Sequence, residues 1–255
     1  MFQLRDYDGK VHFSLARLMA DSPAKARHAC ENPTEPTSSM LFGSMVDHVI
    51  MPAERRIVVF PGAIRRGKEW DAFKAANEGA LIVKIDEMRE AEACAQAVLN
   101  DPDVREFGLF NGDHQHPFAW EMHGLPWATR GLDVLGANFV NDLKTTSSTE
   151  PSALSHHIRK MKYPEQLATY RRAARLHGKT IERCYLTCVE SRPPWDVVVV
   201  EFEPEELDEA DQEVELWCAR IRRAEESQDW GKRTRGVMKL KPKSAWEMAG
   251  EAEDT

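Results

Sequence analysis

The stretch with the strongest hold on the fold is Arg130-Gly131-Leu132-Asp133-Val134-Leu135-Gly136-Ala137-Asn138-Phe139-Val140-Asn141-Asp142-Leu143-Lys144-Thr145-Thr146. It reads as two strands joined by a tight turn. Side chains alternate along a strand, so Asp142 and Lys144 face the same side. A two-residue turn at Ala137-Asn138 sets Asp133 directly opposite Asp142. A turn at Gly136-Ala137 sets it diagonally near, and a three-residue turn throws it to the other face. Two carboxylates and an ammonium on one buried face are costly without compensation. A divalent cation such as Mg²⁺ is the natural compensation, because it prefers carboxylate oxygens, waters and substrate phosphates. Such a metal can activate water and stabilise charge in an in-line attack on phosphorus. Lys144 then positions or activates the water, or steadies the charge on the phosphate. Taken alone, so short a D-x-K fits a surface hairpin with an ordinary ion pair better; the rest of the chain changes that balance.

Read in order, residues 1–12 form a short leader, followed by a helix from about Phe13 and another after Ser22-Pro23, where the proline suits a first turn. A helix starting near Ser39 carries Gly43, Asp47 and His48. Residues 56–60 and 81–83 read as brief strands, with an amphipathic helix over 68–76 between them. A helix follows over 86–99, with Met88, Ala91, Ala95 and Val98 on one face. Residues 104–127 suggest two strands in a hairpin, with Glu121 in the stretch 116–122, before His123-Gly124 and the next strand. His114, His116 and His123 lack metal-ligand spacing and read as surface loop residues. After the central hairpin, a helix through residues 163–176 places Gln166 and Tyr170 on one face. Strands over 180–190 and 195–202 precede a packing helix over 205–227, whose outer face is acidic. The expected organisation is one domain over 1–229, with its core at about 104–203 and a flexible charged tail over 230–255.

Asp133 followed by Asp142-Leu143-Lys144-Thr145-Thr146 resembles the core of the PD-(D/E)xK nucleases. The nearest form is the RecE-type exonuclease (exonuclease VIII) and its phage relatives, with RecB-nuclease and lambda-exonuclease domains further off. The resemblance runs from about Phe13 to about Phe202. Its opening pattern, S-x-x-x-L, then S-P-A, then P-T, is similar to the family's, and Gln166 with Tyr170 matches the Q-x-x-x-Y element of RecB-type nucleases. In the family a histidine four residues after a glycine faces the metal. Here Asp47 holds that spacing from Gly43 and His48 comes one residue later. Successive helical residues are about 100° apart, so Asp47 and His48 cannot aim at one metal equally well; Asp47, His48 and neither all stay open.

The resemblance implies an α/β fold, a mixed central sheet flanked by helices with an N-terminal helical extension. It implies Mg²⁺ (or Mn²⁺ as substitute) on Asp133, Asp142 and the Leu143 main-chain carbonyl, with Asp47 or His48 adding a ligand or orienting water. Lys144 acts on the water, Gln166 and Tyr170 arrange the site, and Glu121 stands where the family has a glutamate near it. It further implies exonuclease action on double-stranded DNA ends, 5′ to 3′, in phage-type recombination. The partners would be a RecT-like single-strand annealing protein and further copies of the chain in a ring. The rivals are a single-strand exonuclease or endonuclease of the same fold, or an inactive DNA- or protein-binding module.

Five scattered cysteines argue against a disulfide framework. Some RecB-like nucleases hold an iron–sulfur cluster with one early and three late cysteines. Only Cys184 and Cys188 are close here, so buried free thiols are the expectation. No apolar run is long enough for a membrane span and no signal peptide opens the chain, which makes a cytoplasmic location the default; the resemblance to phage exonucleases implies a bacterial host cell and a phage or prophage origin. The net charge of −8 does not advertise nucleic-acid binding, so any DNA contact must be local. Basic clusters at Arg65-Arg66-Gly67-Lys68, Arg171-Arg172 with Arg175, Arg220 with Arg222-Arg223, and 232–243 are the candidates. Arg171, Arg172 and Arg175 read either as phosphate contacts or as a solvated face.

Overall fold

The structure is a computed structural model describing residues 1–52, 56–62 and 64–231. The chain opens with α1 (Phe13–Ala16), a 3-10 turn (Arg17–Ala20), α2 (Pro23–Glu31) and α3 (Ser38–Ile50). Ser22 and Thr37 cap α2 and α3 by accepting the backbone N–H groups of Lys25 and Met40. A small lobe follows: β1 (Ile57–Phe60), α4 (Lys68–Ala76) and β2 (Leu81–Lys84), with β1 and β2 parallel. Then come α5 (Ile85–Asn100), α6 (Pro102–Glu106), β3 (Asp113–His116), β4 (Ala119–Met122), β5 (Leu125–Ala128), β6 (Leu132–Leu135) and β7 (Phe139–Thr146). The chain continues through α7 (Pro151–Met161), α8 (Tyr163–Leu176), β8 (Arg183–Glu190), β9 (Val197–Glu201) and α9 (Pro204–Ser227).

The main sheet has the order β3-β6-β7-β8-β9, and only the β7–β8 pair is parallel. A parallel pair needs a crossover. Here α7 and α8 supply it, so the connection lays both helices over one face of the sheet. That face carries Leu135, Cys184, Leu186 and Cys188, packed on Leu154, Leu167 and Tyr170. The other face carries Val134, Leu143, Tyr185 and Val189, packed on Met45 and Val46 of α3 and on Cys94 and Val98 of α5. The mixed sheet between helical layers is the architecture the motif order implied.

A third cluster joins the N-terminal segment, the β4–β5 hairpin and α9 through Leu4, Val11, Trp127, Trp217 and Ile221. Residues 1–12 are therefore not a loose leader: Val11 bridges to Trp127, and Leu4 and Val11 are fully buried. Trp230, expected in the tail, is buried against Phe2 with ring centroids 4.8 Å apart; the rest of the expected tail, 232–255, lies outside the described residues. Residues 104–127 hold a short helix and three strands rather than two, because Gly124 at φ +70° turns β4 back onto β5 after β3 has already paired with β6. His114 and His116 accordingly sit on strand β3 rather than in a loop. The five cysteines are free, four of them buried, and no described helix is long and apolar enough to cross a membrane.

Asn141 anchors the α3–α5 face. It is fully buried, donates Nδ2 to the Leu109 carbonyl at 3.1 Å and accepts the Thr187 hydroxyl at 2.9 Å. Asn141→Ala strands a carbonyl and a hydroxyl in an apolar layer, and should cost about 2–4 kcal/mol; Thr187→Val removes one bond and should cost about 1 kcal/mol. Urea unfolding checks both, the expected result being a lower midpoint at unchanged m-value. An Asn141→Ala midpoint equal to wild type would show that the network does not anchor the sheet.

Candidate active site

Register decides whether the three charged groups meet. Val134 pairs with Asn141 and Leu135 with Val140, and Gly136 donates its N–H to the Phe139 carbonyl at 2.9 Å. The turn is thus the two-residue one at Ala137-Asn138, and continuing the register sets Asp133 opposite Asp142. Asp142 and Lys144 point to the face covered by α7 and α8. Asp142 is almost fully buried, and its Oδ2 is paired closely with Lys144 Nζ. Asp133 stands near enough to Asp142 to push its carboxyl upward.

Asp133 is held at both oxygens. Oδ2 accepts the Leu143 backbone N–H at 2.9 Å, and Oδ1 accepts Gln115 Nε2 at 3.1 Å. Along a strand, the N–H and C=O of one residue point to the same side. The Leu143 carbonyl therefore faces the same edge as Asp133, beyond the point where the β6–β7 ladder ends. Gln115 sits on β3 opposite Asp133, with a left-handed φ of +50° that interrupts the ladder. Gly131 makes room for it: a Cβ there would stand 2.6 Å from Gln115 Oε1 and 3.2 Å from its Cα.

Helix α3 settles which neighbour faces the cluster. Gly43 lets the helix lie close on β7, where a Cβ would stand 3.3 Å from Thr145 Oγ1. Asp47, one turn on, shares that side of the helix and interacts electrostatically with Asp133, Asp142 and Lys144. His48 is rotated away, with its Nδ1 buried and without a partner among the described residues. Helix α8 contributes Tyr170, whose hydroxyl takes a hydrogen bond from Gln166 Nε2 at 2.7 Å and lies in the field of Asp142 and Lys144. Tyr163, on the same stripe of α8, was not singled out from the sequence; Lys144 Nζ sits 5.4 Å from its ring centroid. Its spacing to Gln166 and Tyr170 was the available signal. Gln115 had none, since its role depends on a strand pairing the sequence does not display.

Glu121 does not join the group. On β4 its neighbours Trp120 and Met122 pack inward, so alternation turns Glu121 out, and it is exposed. Nor do the α8 arginines. Arg171 pairs with Asp208 at 2.6 Å, Arg172 with Asp211 at 2.5 Å and Glu215 at 2.6 Å, and Arg175 donates to the Ile181 carbonyl at 2.7 Å. These contacts clamp α8 to α9 and to the strand entry, and they use part of the acidic face expected to be solvated.

Burial pushes the Asp142 carboxyl up to about 7, Lys144 opposes the rise and Asp133 adds to it. Burial likewise raises Asp47 well above the carboxylate range, with further repulsion from Asp133 and Asp142 partly offset by Lys144. Lys144 is pushed upward by Asp142 and Asp133 against the opposing effect of burial, so its ammonium stays charged. Three carboxylates thus share one cation, and two of them are expensive to ionise. An all-oxygen set of this kind suits a hard divalent cation, and the fit rests on that uncompensated charge. Among the described residues no three His, Cys, Asp or Glu side chains form by themselves a group that could hold a metal ion.

A carboxyl raised in the folded state binds protons that the unfolded chain has lost. Apo stability therefore falls as pH rises from about 4 to about 7, and the cost is fully present above that. Asp47→Asn removes one of the clustered charges. In chelator at pH 8 it should raise the melting temperature by about 2–4 °C, a gain of about 1 kcal/mol, while reducing activity. An unchanged or lower melting temperature would mean that Asp47 is not ionised at a cost.

A family model described as "PDDEXK-like domain of unknown function (DUF3799)" matches residues 13–239. A search of curated proteins gives no match. Among solved structures the chain is similar to the crystal structure of a "Putative exonuclease" from Eubacterium rectale. The identity is 17% and the TM-score 0.62, over 94% of this chain and 92% of that one. At that identity the likeness speaks for the fold, and neither match singles out the RecE-type branch. With the family match spanning most of the chain, and Asp133, Asp142 and Lys144 gathered on neighbouring strands, the protein belongs to the PDDEXK-like family, with the fold of the PD-(D/E)xK nucleases.

Proposed function

We propose that the protein is a metal-dependent nuclease that hydrolyses phosphodiester bonds of DNA, acting as an exonuclease on linear duplex ends. The observation that carries this reading is the convergence of Asp133, Asp142 and Lys144 on one buried face, with Asp47 added from α3. Asp133, Asp142 and the Leu143 carbonyl would hold the cation, with Asp47 as a further ligand or as the acceptor for a bound water. A divalent cation there supplies Lewis acidity toward the phosphoryl oxygens and the attacking water.

The remaining work falls to the chain's own side chains. Lys144 stays protonated beside Asp142 and Asp133, so it acts as a hydrogen-bond donor that orients water or stabilises the developing phosphorane charge. Gln115 and the Leu143 N–H fix the Asp133 carboxylate in one orientation. Tyr170, its phenol pushed upward chiefly by burial, remains a neutral O–H oriented by Gln166. It can donate to a phosphate oxygen. Tyr163 packs against the Lys144 side and shields it from bulk water. Preference for duplex ends, 5′-to-3′ polarity and Mg²⁺ as the working metal come from the resemblance to RecE-type enzymes and form part of the same proposal.

End-labelled linear duplex should be degraded in Mg²⁺ and left intact in chelator, whereas covalently closed circular duplex should resist. Lys144→Ala should reduce cleavage at least ~10²-fold with the fold retained. Digestion by that variant at the wild-type rate would remove the basis of the assignment, and cutting of closed circles would replace exonuclease with endonuclease. Metal binding adds a second readout. The proton on Asp142 must leave before a cation can bind, so thermal stabilisation by Mg²⁺ should be larger at pH 8 than at pH 6, on either side of the raised value of about 7. Equal Mg²⁺ stabilisation at both pH values would show that Asp142 is not a ligand.

A further inference from the structure

Among the described residues, most cations of the clusters that the sequence offers as phosphate contacts are committed to partners. Besides the α8 arginines, Arg65 is paired with Glu87, Arg222 with Glu226, and Arg220 lies near Glu213. A different set remains at the mouth of the carboxylate cluster, and Tyr163 is its hub. Lys144 approaches the ring from the catalytic side. The His157 ring stands edge-on to it at 5.8 Å, and Arg17 acts electrostatically on its hydroxyl. Arg17 projects from the 3-10 turn after α1. Its Nη1 makes one long bond, 3.4 Å, to the Met161 carbonyl at the end of α7, and no carboxylate pairs with it among the described residues.

Lys160 belongs to the same corner. It is exposed, lacks a carboxylate partner among the described residues, and interacts with His157. Burial first, then Lys160 and His156, pushes the His157 imidazole down. Helix α7 carries His156, His157, Arg159 and Lys160 and no Asp or Glu, and only Arg159 is drawn off, toward Glu206. In a chain of net charge −8, this is a surface with uncommitted positive charge beside the reacting groups.

We propose that Arg17 and Lys160, at the corner between α7 and α8, form a docking surface for the sugar–phosphate backbone of a nucleic acid on the Tyr163 side of the Asp133–Asp142–Lys144 cluster. The inference rests on the nuclease reading, since it places a phosphate beside the one to be cut. Arg17 suits a phosphate because a half-buried guanidinium is already partly dehydrated and presents its donors as a fork. Lys160 adds a point charge further out along the strand. The two come from separate elements, so a bound backbone would tie the N-terminal segment to the crossover helices.

The test is binding of a labelled duplex oligonucleotide in chelator, where nothing is cut, measured by anisotropy across a salt series. The proteins are wild type, Arg17→Ala/Lys160→Ala, Arg17→Lys/Lys160→Arg, and Lys179→Ala as a surface control. Each lost phosphate contact should flatten the log–log salt slope by about one unit, so the double alanine variant should lose about two and bind ~10-fold more weakly. The charge-conserving variant should keep the slope, which a purely structural role of Arg17 at Met161 would not give, and the control should match wild type. In Mg²⁺ the KM of the double alanine variant should rise several times more than its kcat falls. A folded double alanine variant with wild-type slope and affinity overturns the inference alone, provided that wild type cuts DNA. Wild type that binds DNA without ever cutting it, while the variant loses binding, sinks the nuclease reading and supports the docking surface. Wild type that neither binds nor cuts overturns both.

Discussion

Like charges held together away from water are the constraint on which the rest of this molecule depends. Asp47, Asp133 and Asp142 crowd one ammonium, and burial raises two of the three carboxyls. A protein tolerates such a site only if the surrounding structure over-determines it. Each nearby oddity serves that end. The left-handed Gln115 and the small Gly131 secure one Asp133 oxygen, and the Leu143 backbone N–H inside β7 secures the other. Gly43 brings α3 onto the sheet, and the parallel β7–β8 pair forces a helical crossover across the face where Asp142 and Lys144 emerge. The stability lost at the cluster is carried by ordinary packing elsewhere, including the Asn141–Thr187–Leu109 bonds on the opposite face.

What was legible in the sequence was whatever local periodicity encodes. The Asp142–Lys144 face and the Gln166–Tyr170 stripe follow from periods of two and about 3.6 residues, and the structure places both as read; the β6–β7 turn was legible as a turn, while its register among three options was fixed only by the strand pairing. What was not legible depends on tertiary partners. Alternation could not say which face of β4 would be covered, and the N-terminal segment together with α9 decided it, leaving Glu121 outside. Nor could it show that residues 1–12 carry an extra strand contact at Val11, because a single apolar residue in a polar stretch has no period. The choice between Asp47 and His48 was open from spacing alone. It was resolved by where Gly43 allows the helix to touch β7.

Charge segregation explains how an acidic chain can keep a cationic mouth. The arginines of α8 face carboxylates of α9 across a short gap, and such pairs clamp helices together while cancelling one another's field. The sequence clusters at Arg171-Arg172 and Arg220 therefore say little about ligands. Helix α7 is the reverse case: it has no acidic side chain of its own, its Leu154 and Ile158 pack into the core, and of its basic side chains only Arg159 forms an ion pair. Cations that do no structural work are the ones free to meet a phosphate. Counting charge by sequence block points to α8, and counting it after pairing points to α7, which is the ground of the docking proposal.

The donor set also bears on which metal the site would favour under the nuclease reading. With His48 rotated out, the groups facing the cluster are carboxylates and a main-chain carbonyl, all hard oxygen donors. Imidazole and thiolate are the ligands that draw zinc and other borderline metals. Cys188 lies near Asp142 and Lys144, but burial pushes its thiol up to about 12, so it stays protonated and a poor ligand. An oxygen-only site of net negative charge discriminates by hydration and coordination number rather than by softness. It would hold Mg²⁺ or Mn²⁺ loosely, with waters in the remaining positions. On the proposed reading, a loosely held cation with exchangeable waters is what an attack by water on phosphorus requires, and Asp47 in place of an imidazole would leave that chemistry possible while narrowing the metals that could serve it.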